Sequence, residues 1–165
     1  MTERDRLNRL ANLLYVLAIV LFIGTFLELL AAKHFQEPMQ LVPVVLCIVG
    51  AALVALAWKQ PSREIIQGMR GAMVVIAAAS ILGVWKHIEG NVGFVQEMHP
   101  DSSGTALLVG ALTGRAPLLA SGALAVTGVV ALLATVAAGW SWRGEELPER
   151  APAAPGPVGT AVPAP

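Results

Sequence analysis

The chain has 165 residues, with eleven Lys and Arg balanced by eleven Asp and Glu. That length suits one compact unit, and the balance leaves no global field to attract nucleic acid. Hydrophobic residues make up 56% and charged residues 13%, with a mean hydropathy of +0.68. An ordinary soluble domain carries about 25% charged residues, so the composition excludes a water-soluble body and points to an integral membrane protein.

A helix needs roughly 20 mostly apolar residues to cross the hydrocarbon. After a short N-terminus (residues 1–9), the first stretch of that kind is Leu10 to Ala32. It holds Glu28 and is about twice as long as a signal-peptide core, so it reads as a retained span. Met39 to Trp58 is the second span. The third, 65–85, reaches spanning length by including the turn with Gln67 and Arg70, whose long side chain is expected to snorkel to the headgroups. Ala116 to Trp140 is the fourth. The sequence therefore predicts an all-α integral membrane protein, a four-transmembrane-helix bundle occupying residues 10–142. The tail, 143–165, is rich in Pro and Ala, with six prolines between Leu147 and Pro165, and cannot build a core.

Sorting cations by connection gives the orientation. Arg4, Arg6, Arg9, Lys59, Arg63, Arg70, Arg143 and Arg150 fall on one side, against Lys33, Lys86 and Arg115 on the other. The positive-inside rule then puts both termini in the cytoplasm of a bacterial-type plasma membrane. Trp58, Trp140 and Trp142 at inner boundaries and Trp85 at an outer one form the expected aromatic belts.

Small side chains at spacing four let helices approach closely in lipid. Ala123, Thr127, Ala131, Thr135 and Gly139 make such a stripe, expected to pack within the bundle or, alternatively, against a second copy or a membrane-protein partner. Cys47 is the only cysteine and lies in an apolar run, so it reads as packing.

The chemistry-bearing residues gather on the predicted outer side. His34 and Glu37 lie in the first connection. The long outer loop, 86–115, carries Lys86, His87, Glu89, Glu97, Met98, His99 and Asp101. Gly90 and Gly93 are expected to end the helix leaving the third span. Asp101-Ser102-Ser103 is expected to cap a short helix from Gly104 toward Thr113, interfacial or partly inserted.

Three readings compete for this cluster. His87, Glu97, Met98 and His99 offer imidazole, carboxylate and thioether to a metal ion. Glu28, about one turn inside the outer boundary, suggests proton or ion handling. The favoured reading pairs Glu28 with Lys86 or His87 to lock two helices. A quinone site built from His87, Glu28 and aromatics is a further alternative; no other cofactor is expected. No phosphate loop, nucleophile elbow or metalloprotease helix occurs. The expected function is thus a non-catalytic accessory or structural subunit whose outer loop contacts a partner or ligand, with metal or proton handling as the alternative.

Overall fold

The computed structural model describes residues 2–33, 36, 38–114 and 118–140, with backbone alone for 118–121. Five helices carry them: α1 (Glu3–Ala31), α2 (Pro38–Lys59), α3 (Arg63–Met98), α4 (Gly104–Thr113) and α5 (Leu118–Ala137). Three of these, α1 to α3, are long and apolar enough to cross a membrane.

α1 starts seven residues before its apolar stretch because Thr2 and Asp5 form a capping box. Thr2 Oγ1 accepts from the Asp5 amide at 3.2 Å, and the Thr2 amide donates to Asp5 Oδ2 at 2.8 Å. These bonds satisfy two amides that a helix start otherwise leaves open. The bond from the Thr2 amide, then that from its hydroxyl, favour the charged carboxylate and hold the Asp5 carboxyl below its ordinary value. Its contribution is therefore present above the ordinary Asp range and is lost as pH falls through the lowered value. Amide exchange in the first turn of α1 should speed up below that pH, and Asp5→Ala should abolish the dependence. A first turn that exchanges identically in both proteins at every pH would contradict this.

α3 corrects the expectation that Gly90 and Gly93 stop the helix. It runs through both to Met98. A glycine inside a helix costs only about 1 kcal/mol relative to Ala, and this stretch is held from the side. Asn91 Nδ2 donates to the Ala111 carbonyl of α4 at 3.0 Å, and a Cβ on Gly110 would sit 2.5 Å from Val95 Cγ2. The helix ends where Pro100 disfavours helical geometry for His99, which takes φ −139° and ψ 78°. The short helix α4 has the bounds expected for it, although Ser103 makes no side-chain capping bond.

The four long helices touch in the cyclic order α1, α2, α3, α5, so α1 and α3 stand across a diagonal. α1 turns Ala11, Tyr15, Ala18, Phe22 and Thr25 inward at spacings of four and three. Of these, Tyr15, Ala18 and Phe22 share one core cluster with Cys47 and Val54 of α2, Ile66, Met69, Met73 and Ile76 of α3, and Leu124, Ala131 and Ala134 of α5. Backbones come close at two glycines: Gly50 lies under the Phe22 ring, and a Cβ on Gly128 would stand 3.2 Å from the Met73 carbonyl oxygen. Outward, large apolar side chains such as Leu13, Val20, Val75, Leu82 and Val126 are exposed along the long helices. A protein in water does not tolerate such a continuous apolar surface, whereas lipid solvates it.

The helices end at different heights. α3 is the longest, with 36 residues against 29 in α1 and 22 in α2. α4 packs on the last turns of α3, which is its main contact. The molecule is thus four helices thick at the end bearing Glu3 and Ala137, and a two-helix hairpin at the other.

Candidate functional site

At the hairpin end, the residues singled out from the sequence do not converge. Glu28 is exposed near the end of α1. Of the two partners expected for Glu28, Lys86 is engaged elsewhere: its Nζ lies 2.7 Å from Glu89 Oε2, one turn along its own helix, with both side chains largely exposed. The reason is placement, since α1 and α3 are diagonal and Glu89 is within a turn. His87 is half-buried on α3.

The metal candidates lie along one rod. His87 and Glu97 are ten residues apart on α3, about 15 Å along its axis, while Met98 and His99 lie exposed at its tip. Among the described residues, no group of three or more His, Cys, Asp or Glu side chains is placed to hold a metal ion. His34, Glu37, Arg115 and the tail 143–165 lie outside the described residues. The small-residue stripe of α5 faces into the chain, with Thr127, Ala131 and Thr135 buried and Ala123 and Gly139 partly so.

What the hairpin end does present is an uncharged helix face on α4, beside the charged side chains of α3. α4 contains no ionisable residue and exposes Leu108 (59%), Val109 and Leu112. Phe94 and Met98 of α3 are also exposed. The other side of α4 is fixed to α3 through Asn91, which is buried and accommodates Gly114, where a Cβ would stand 2.7 Å from Asn91 Cγ.

At the opposite end is a polar cluster that the sequence reading missed. Arg70 does not snorkel outward; it is only 7% exposed. Its Nε and Nη2 donate to Thr135 Oγ1 at 2.9 and 2.8 Å, and Nη2 also donates to the Trp140 carbonyl at 3.1 Å. Thr135 Oγ1 in turn donates to the Leu132 carbonyl at 2.7 Å. Arg70 therefore ties the end of α5 to α3. The signal was available: Ile66, Met69, Met73 and Ile76 define the inner face of α3, and Arg70 falls on that face.

Beside this tie, Tyr15 stacks on Trp58, with ring centroids 6.4 Å apart and planes at 21°. Trp58 Nε1 donates to Asn12 Oδ1 at 2.9 Å. Asn8, Asn12 and Tyr15 of α1, Trp58 of α2, and Trp140 beyond α5 enclose most of a recess of about 400 Å³. The combination of amide, phenol and indole donors with apolar walls suits recognition of a partly polar guest, and no acidic side chain lines it. The chain matches no protein-family model, no curated protein and no solved structure in such comparisons.

Proposed function

We propose that the chain is a four-span membrane bundle of a bacterial-type plasma membrane, with both termini cytoplasmic. In this reading it is a non-catalytic accessory subunit whose outer α3–α4 hairpin docks a partner protein. α5 is the fourth span: its described segment Gly122–Ala137 is apolar, and the helix packs antiparallel to α3 over the depth of the bundle. The bias of Arg and Lys toward the termini and the α2–α3 connection supports the orientation.

The observation that carries the functional reading is the hairpin. It is built from the end of the 36-residue α3 and from α4, and α4 exposes Leu108, Val109 and Leu112 without a charge among them. An apolar helix face held rigidly outside the span is costly in water and suits a protein interface. The hairpin is stiffened by the Asn91 to Ala111 bond, which keeps low the ordering cost of docking.

A photo-crosslinking residue placed at Leu108 in cells should give one discrete protein adduct, while the same probe at Val126, on the lipid-facing side of α5, should give none. Only lipid adducts at Leu108 and at Leu112 would overturn the docking role. Orientation is tested separately: a reporter fused after Arg150 should be active only in its cytoplasmic form.

A further inference from the structure

From the recess at the terminal end, we infer that the chain binds the headgroup of an anionic phospholipid of the cytoplasmic leaflet, between α1, α2 and the end of α5. The inference rests on the membrane-spanning reading and its orientation, and is independent of what docks on the hairpin.

The donors at this recess are unspent. Asn12 uses Oδ1 to accept from Trp58, so its amide N–H₂ remains to donate. Asn8 makes no side-chain hydrogen bond to a described residue, and Trp140 offers its indole N–H, since only its backbone is engaged. Tyr15 is the decisive group. It is 3% exposed, yet its hydroxyl makes no hydrogen bond to any described residue. No fully buried side-chain N or O among the described residues lacks a partner, so the open side of this hydroxyl is the recess that Tyr15 lines. A phenol buried to this degree normally finds a partner, and a guest that accepts hydrogen bonds would supply it.

Charge selects among acceptors. Arg70 is the electrostatic neighbour of Tyr15. Lys59 and Arg63 flank Pro61, which lines the opening; the nearby Glu64 carboxylate, accepting from Ser62 at 2.9 Å, keeps its charge and offsets one of them. Ala11, Ala57 and Ala138 provide apolar wall. A phosphodiester joined to a glyceryl stem and acyl chains meets all of these: oxygens for four donors, negative charge for the cations, and an apolar part for the alanines. A headgroup that adds its own cation, such as choline, would meet Lys59 and Arg63 unfavourably.

The test uses the full chain, purified in mild detergent, stripped of lipid, and followed by native mass spectrometry. The probes are phosphatidylglycerol, phosphatidylcholine and inorganic phosphate. One phosphatidylglycerol should bind per chain about tenfold more tightly than phosphatidylcholine. Tyr15→Phe and Trp140→Phe, which remove a donor and keep the ring, should each weaken it by about tenfold, the effect of one hydrogen bond to an ionised group. Asn8→Ala, on an exposed turn that cannot disturb the core, should weaken it in the same direction. Trp85→Phe, at the far boundary, should change nothing. Equal binding of the two lipids, or donor variants that bind phosphatidylglycerol unchanged, would overturn the inference. So would inorganic phosphate binding as tightly as the lipid, which would make a free anion the ligand. Loss of the Leu108 adduct would leave all these results untouched.

Discussion

Arg70→Met should destabilise the bundle by about 2–4 kcal/mol, the cost of deleting several buried bonds from a charged donor. The guanidinium is the link between the middle of α3's inner face and the last turn of α5, through Thr135 and the Trp140 carbonyl. Met fills a similar volume, so the loss reports the bonds and not a cavity. Arg70→Lys keeps the cation but cannot reproduce the two-pronged approach to Thr135 Oγ1, and should lose a substantial part of the same stability. Thermal unfolding in detergent measures both. The double variant Arg70→Met, Thr135→Val should be less destabilised than the two single losses combined, because the second change removes an oxygen orphaned by the first. Strict additivity would show that the two side chains do not act as a unit.

Gly50→Ala should destabilise the α1–α2 contact by about 1–3 kcal/mol. A Cβ there would stand 2.5 Å from two ring carbons of Phe22, well inside van der Waals contact. Phe22 is fully buried, with Cys47 and Val54 in the same core cluster, so any movement of its ring toward the small recess it lines must repack the α1–α2 contact. Shortening the ring should relieve the clash: Phe22→Leu together with Gly50→Ala should unfold at a higher temperature than Gly50→Ala alone. If the pair is worse than either single change, the close approach of α2 to Phe22 is not the cause. Gly24→Ala, with nothing within 4 Å of its Cβ, is the matched control on α1.

Much of the helix layout was legible because apolar runs and their breaks are local properties. The first, second and fourth apolar stretches and the short helix from Gly104 all correspond to helices of similar bounds. The sequence failed where a residue's role depends on a distant one. Gly90 and Gly93 look like stops until Asn91 and Val95 are seen to hold α4, whose partners lie some twenty residues on. Arg70 looks like a headgroup anchor until Thr135, sixty-five residues away, is placed beside it. Lys86 pairs with Glu89 and not with Glu28 for the same reason, since the chain alone does not say that α1 and α3 are diagonal. Tyr15, Asn12 and Trp58 come from opposite ends of a helical hairpin, so neither local composition nor periodicity marks them as one site.

The cyclic packing order has a consequence for how the chain is made. α5 is synthesised last, and it is the helix that joins α3 back to α1. Until it is made, the inner faces of α1 and α3 have no common neighbour except α2, and Arg70 has neither Thr135 nor Trp140 to receive it. Assembly therefore closes in one late step, and a chain halted before residue 118 has α1 to α4 but lacks both the helix that joins α3 back to α1 and the Thr135 acceptor of Arg70.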